Sequence, residues 1–351
     1  MVAEAALLAG VCVAGFGVLR FLRFPTPAFL GALTAAGALN YCYLYPVELS
    51  LDAVSFLAKV GLGVTLGRRF DRTVILALKE LPVPAVVTAV WMMGASLLSG
   101  FVLHAWSDLP LNTALIGSAA GGIMEMAVFA MALGANAVTV TFIQLFRLIV
   151  SVMVIPFIAR GWSRHLRNKG LPVGRRAAAS PAYGTQGRFN AGLYALMAGA
   201  ALTGGWCCER LGVPAGTMIG AMAGAALVVA PSGRACPVTP HLGSLCQLVL
   251  GAVMARSMTH DTIVVLGELF LPLFLPTVTL LILCLALSFV LHRLAGWDSI
   301  TCLLATMPAG LIQVVPLAEE AGADVVKVAM MHTVRLISIV VFLPWIITAI
   351  L

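Results

Sequence analysis

Two arginines stand alone in long apolar stretches: Arg147 within QLFRLIV and Arg335 within HTVRLIS. An arginine in mid-helix inside a bilayer costs roughly 2.5–3.5 kcal/mol on insertion scales, so something must compensate its charge. Two kinds of partner fit. One is an internal carboxylate, with Glu125 and Glu320 as the candidates. The other is a carboxylate or similar anion on a bound solute, which a guanidinium can grip with two parallel hydrogen bonds. The two can also alternate, the solute displacing the internal partner.

Each arginine follows an apolar segment that is interrupted midway, by Ala119-Ala120-Gly121-Gly122 in one case and by Pro308-Ala309-Gly310 in the other. Non-helical backbone is tolerated at membrane depth only where protein buries it or where it lines a watery cavity. The helix that resumes after a break presents free N–H groups and a positive dipole end, which suit an anion. Small residues can also serve only to bring helices close. On the first reading Gly121, Gly122, Pro308 and Gly310 are candidate substrate-binding positions. Glu125 lies one helical turn beyond the first break and is the leading candidate to carry a coupling proton, ahead of Glu320 and Asp324, which could equally belong to a polar interfacial turn. Its counterpart is neutral Gln313. Gln144 and His332 precede the arginines by three residues, on the same helix face. His332 can titrate near neutral pH or pack as a neutral ring.

These correspondences belong to a longer repeat. Residues 115–157 align without a gap on residues 303–345, at a constant offset of 188 (335 less 147). That offset pairs Glu125 with Gln313, Gly134 with Gly322 and Pro156 with Pro344. It reaches back to His104 with His292 and Arg68 with Arg256. Further upstream, TPAFLGALTAAGAL (26–39) resembles VPAGTMIGAMAGAAL (213–227). The chain therefore reads as a first membrane repeat over 1–161, a basic linker over 162–189 and a second membrane repeat over 190–351.

Composition sets the class. The chain is 61% hydrophobic and only 10% charged, with a mean hydropathy of +1.04, where soluble domains carry ~25% charged residues. Its 351 residues suffice for about ten to twelve crossings of roughly 20 residues each. The net charge of +7 gathers at segment ends and in the run 159–190 that contains the linker, which has seven Lys and Arg residues from Arg160 to Arg188 and no acidic one. Such bias marks cytoplasmic loops of multi-pass proteins and gives no reason to expect nucleic acid. The eight cysteines include no C-x-x-C pair and read as packing residues.

Charge alternation places Arg20, Arg23, Arg68, Arg69 and Arg72 inside and Asp108 outside. Between Asp108 and the linker only an odd number of crossings fits, yet two apolar segments lie there. The interrupted one, 110–134, is then expected to re-enter without crossing. The fold predicted is an all-α polytopic membrane protein. Its two homologous halves are expected to be inverted repeats of about five transmembrane helices, each with one broken or re-entrant hairpin.

The runs GSAAGGIMEMAVFAMALGANAVTVTFIQLFRLIV and ATMPAGLIQVVPLAEEAGADVVKVAMMHTVRLISIVV resemble the duplicated motif of the AbrB family of bacterial membrane proteins, a P-G-G-x-x-E-M core with a downstream Q-x-x-R. The resemblance covers both halves. Ala120 replaces the proline in the first half, and Gln313 replaces the glutamate in the second. It implies the inner membrane of a bacterium, and more loosely it is similar to cation/proton antiporters and anion transporters. Family labels speak of a regulator of gene expression or an ammonia monooxygenase, but no helix-turn-helix or metal cluster is visible. No P-loop, nucleophile elbow or H-E-x-x-H supports ATP-driven transport or an enzyme. The expected function is secondary transport of a small anionic solute, proton- or sodium-coupled, without cofactor or metal. A homodimer fits such a protein, and a membrane-embedded regulator acting through a partner is the alternative.

Overall fold

In lipid a backbone must satisfy its own hydrogen bonds, which leaves helices as the solution for apolar runs of this length. The computed structural model describes residues 2–22, 24, 26–42, 51–68, 81–168, 191–232 and 240–351. Residues 169–189 of the linker, together with Arg23, Arg69 and Arg72 and the side chains of Gln313 and Glu320, lie outside the described residues. Among those described, all regular structure is helical: α1 Val2–Phe21, α2 Pro27–Tyr41, α3 Asp52–Gly67, α4 Pro82–Trp106, α5 Leu111–Ser118, α6 Ile123–Ala132, α7 Ala137–Asn168, α8 Ala191–Arg210, α9 Gly216–Ser232, α10 Pro240–Met254, a 3₁₀ turn Ala255–Ser257, α11 His260–Glu268, α12 Phe274–Ala295, α13 Ser299–Thr306, α14 Leu311–Ala321 and α15 Val325–Ile350. Within this set α4, residues Ala137–Ala159 of α7, α8, α12 and α15 are each long and apolar enough to cross a membrane. The protein is an all-α, multi-pass membrane protein.

Contacts divide the chain into two compact units, and both units draw on both sequence halves. One comprises residues 1–73, 127–139 and 185–268; the other comprises 74–126, 140–184 and 269–351.

The first unit is built on close helix approach. Small residues permit this where lipid removes the hydrophobic drive for helices to associate. A Cβ added to Gly220 of α9 would lie 2.1 Å from the Gly204 carbonyl of α8, and one added to Gly15 of α1 would lie 2.3 Å from the Gly31 carbonyl of α2. Asn40 fastens the end of α2 to the turn after α10, donating to the carbonyls of Arg256 at 3.1 Å and Met258 at 3.0 Å.

The second unit holds both breaks, residues 119–122 and 307–310. Its long helices α4 and α12 are cross-linked by polar side chains. Trp91 Nε1 donates to the Leu283 carbonyl at 3.0 Å and Ser99 Oγ to the Pro276 carbonyl at 2.8 Å. Phe146, Phe270 and Phe274 meet edge to face, with centroids 5.0–5.9 Å apart, a favoured aromatic geometry. After each long helix a histidine turns the chain back. His104 Nδ1 lies 2.7 Å from the Leu109 carbonyl, and His292 Nδ1 lies 2.6 Å from the Trp297 carbonyl, the same pair of positions 188 residues on. The helix then stops and restarts as the glycines suggest: α5 ends at Ser118 and α6 begins at Ile123, while α13 ends at Thr306 and α14 begins at Leu311.

Candidate functional site

The end of an α-helix leaves carbonyls with no partner inside the helix. At both breaks an arginine supplies one. Arg147 Nη1 donates to the carbonyls of Ala119 at 2.5 Å and Ser118 at 3.3 Å, and Nη2 donates to that of Gly121 at 3.3 Å. Arg335 Nη1 donates to the Met307 carbonyl at 2.6 Å, and Nη2 donates to that of Ala309 at 3.0 Å. Where the sequence suggests an internal carboxylate or a solute anion as partner for these charges, the structure also sets each at the negative end of a helix dipole, that of α5 for Arg147 and that of α13 for Arg335.

The residue one turn earlier completes each arrangement. Gln144 Oε1 accepts a short bond from Arg147 Nη2, while Gln144 Nε2 donates to the carbonyls of Ile116 at 3.2 Å and Ala119 at 2.9 Å. His332 Nε2 lies 2.9 Å from the Leu304 carbonyl, and its Nδ1 lies 3.3 Å from Arg335 Nη2. A carbonyl only accepts, so Nε2 carries the hydrogen and Nδ1 accepts from the guanidinium; the ring is the neutral tautomer. An imidazole thus reproduces the donor-and-acceptor role of the amide.

Both arginines and His332 are buried within the second unit. The charge of Arg335 acts on Arg147, and the Cys284 thiol on α12 feels both guanidiniums, so the two breaks share one electrostatic neighbourhood. Nε of each arginine has no acceptor among the described residues. Chemically this is a buried centre with two guanidiniums, each with one donor unused among the described residues.

Glu125 is buried and folds back over the start of its own helix. A Cβ on Gly122 would fall 2.0 Å from Glu125 Oε2 and 2.8 Å from its Cδ, so only glycine leaves the carboxylate this place. A carboxylate at the third helical position reaching back to the helix start is how a capping box uses a glutamate, and the positive dipole end favours it. Asp324 has a defined structural task. Its Oδ1 accepts from the Lys327 N–H at 3.2 Å, its Oδ2 pairs with Lys327 Nζ at 3.1 Å, and its own N–H donates to Thr301 Oγ1 at 2.8 Å. Asn136 caps α7 from the matching position, accepting from Val138 and Thr139 at 3.1 Å each. Gly310 is the residue that opens α14, in extended conformation at φ −75° and ψ 151°. Among the described residues no group of three or more His, Cys, Asp or Glu side chains is placed to hold a metal.

The structure adds residues that pattern alone did not single out. Ala120 stands where the second break has Pro308, and unlike proline it has an N–H to satisfy; Ser96 Oγ accepts it at 3.0 Å. The residue 188 positions after Ser96 is Cys284, which donates to no carbonyl and instead contacts Met92 Sδ at 3.8 Å. A serine is present where the break has a free N–H, and a thiol where proline removes it.

A family model described as "Transition state regulatory protein AbrB" matches residues 50–351. The chain belongs to the AbrB family. Among AbrB-related proteins, "Putative regulator AbrB" of Escherichia coli (strain K12) is 27% identical over 328 residues, covering 92% of this chain and 89% of that protein. "Uncharacterized protein YhjN" of Bacillus subtilis (strain 168) is 25% identical over 299 residues, covering 82% of this chain and 76% of that protein. The AbrB match takes in both broken segments, both arginines, Gln144, His332 and Glu125.

Proposed function

We propose that this AbrB-family protein is a secondary transporter of the bacterial inner membrane that moves a small anionic or carboxylate-bearing solute by alternating access, coupled to protons or sodium. The observation that carries the reading is the pair of buried guanidiniums within electrostatic reach of one another, each set at a helix break and each with Nε unused. Two like charges held in protein at the ends of helices, each with a donor unused among the described residues, favour an anion between helix ends. Glu125, the acidic residue at the first break, is the position we assign to proton coupling. The halves are read as inverted repeats with the linker 162–189 in the cytoplasm, on the charge bias of the sequence.

The test is uptake of labelled acetate, lactate and succinate into proteoliposomes carrying Arg147→Gln or Arg335→Gln. Uptake by the unsubstituted protein and its loss in both variants, with folding verified by gel filtration, is expected. Unchanged uptake in both variants would sink the reading. A second reading, a membrane-embedded regulator, is favoured by the word "regulator" in the name of the Escherichia coli relative and by the basic linker. Deleting residues 163–187 separates the two: transport survives the deletion, whereas an activity exerted through a linker-bound partner is lost.

A further inference from the structure

Hydroxyl side chains in these helices have an ordinary resting place. Thr65, Thr277, Thr306, Ser338 and Thr348 each donate to a carbonyl three or four residues back, at 2.7–3.1 Å. This back-bonding is the default for a hydroxyl that cannot reach water. Ser118 and Ser151 depart from it. They are 3% and 0% exposed, and their Oγ atoms have no partner among the described residues.

A third unpartnered polar atom accompanies them. Arg147 is 6% exposed, and its Nε has no acceptor among the described residues. Ser151 follows Arg147 by four residues on α7, which places it on the same helix face one turn away. The carbonyl of Ser118 already accepts from Arg147 Nη1 at 3.3 Å. Three unpaired buried donors thus lie on the two segments that meet at the first break, and a buried donor left unmade carries the full desolvation penalty.

Among the described residues the second half has no such set. Thr306, the counterpart of Ser118, donates to the carbonyls of Cys302 and Leu303 at 3.1 Å each, and the counterpart of Ser151 is apolar Ile339. Of the unpartnered buried atoms of the described residues at that break, Arg335 Nε remains. Where the capping groups differ between the breaks, as Gln144 and His332 do, each is hydrogen-bonded, and the hydroxyls of Ser118 and Ser151 are not. A ligand bound on one side needs them at one.

We infer that Ser118 Oγ, Ser151 Oγ and Arg147 Nε form a subsite for the carboxylate group of the solute, and that the two serines set specificity within it. The inference rests on the transport reading above. A carboxylate offers two oxygens with about four acceptor positions, which matches one charged and two neutral donors. The guanidinium of Arg147 favours an anion over a neutral amide of the same shape.

The experiment uses the full-length protein in nanodiscs, with Ser118→Ala, Ser151→Ala and Arg335→Gln. Calorimetric titration with acetate, lactate and succinate, with acetamide as the neutral isostere, is paired with the unfolding midpoint of the ligand-free protein. Each serine variant should weaken carboxylate binding roughly tenfold, the loss of one hydrogen bond to a charged group. The ligand-free midpoint should stay level or rise, because alanine removes a hydroxyl that had no internal partner. A falling midpoint in both serine variants means that the hydroxyls serve the fold, and it overturns the inference. Undiminished binding in both serine variants also overturns it; if Arg335→Gln abolishes binding at the same time, the transport reading stands alone. Acetamide binding as tightly as acetate overturns the anion assignment. A wild-type protein that binds none of the three carboxylates overturns both readings.

Discussion

The two breaks of the second unit solve one backbone problem with different side chains. At the first, Arg147 and an amide, Gln144, gather carbonyls from Ile116 to Gly121, a serine accepts the Ala120 N–H, and a carboxylate folds over the restart of the helix. At the second, Arg335 and an imidazole, His332, gather carbonyls from Leu304 to Ala309, and Pro308 has no N–H to satisfy. The donors that cap the helix ends match position by position. The groups left over do not match, and they are concentrated at the first break. Shared capping is therefore the part demanded by the fold, and the unshared remainder is where a ligand can be discriminated.

The largest effect expected from breaking this comparison comes from removing the guanidiniums. Arg147→Leu leaves the Ser118 and Gly121 carbonyls and the Gln144 amide oxygen without the guanidinium, while the Ala119 carbonyl keeps the Gln144 amide and the Gly121 N–H; Arg335→Leu takes the guanidinium from the Ala309 carbonyl and from that of Met307, which keeps the Ala309 N–H. At roughly 1–3 kcal/mol for each buried group left unpaired, both variants should unfold at markedly lower temperature in detergent, Arg147→Leu at the lower of the two. Equal or reversed loss would mean that the carbonyls are not what these charges serve.

A smaller effect tests the exchange of serine for proline. Ser96→Ala leaves the buried Ala120 N–H without its acceptor, at a cost of about 1–3 kcal/mol. Ala120→Pro removes that N–H. The residue before it already has φ −59° and ψ 133°, close to the −61° and 138° of Met307 before Pro308, and this is the region that a following proline prefers. The double variant Ser96→Ala/Ala120→Pro should recover most of the stability lost in Ser96→Ala. A double-mutant cycle of unfolding midpoints reads the coupling, and additive losses would deny the link between the two positions.

The smallest effect should follow from trading the residues beside the arginines. Gln144→His and His332→Gln each install the other break's solution, one donor and one acceptor in similar places. His332→Gln should shift the unfolding midpoint by no more than about 1 kcal/mol in stability, the net worth of a typical hydrogen bond. If transport by His332→Gln changes its dependence on pH while stability does not, the imidazole has a role beyond capping.

Much of this was legible in the chain itself. The apolar runs, the positions of both breaks and the pairing of Arg147 with Arg335 follow from composition and from one constant offset. That Gln144 and His332 lie beside their arginines follows from helical spacing alone. Three things were not legible. The partners of the arginines are main-chain carbonyls, which have no residue type to read. Asp324, a candidate for proton coupling by its residue type, also caps α15 and pairs with Lys327, a task that its type does not announce. Ser96 is drawn to Ala120 from another helix, and no spacing along the chain announces it.

The sequence by itself determined that this is a multi-pass helical protein with two matched interruptions and a charge at each, because hydropathy and periodicity are local properties. Only the tertiary structure decided that both interruptions belong to one compact unit, that their arginines feel one another, and that, among the described residues, more unpaired buried donors lie at the first break than at the second. Those outcomes depend on which helices pack together across about 190 residues of intervening chain, and on which hydrogen bonds that packing leaves unmade.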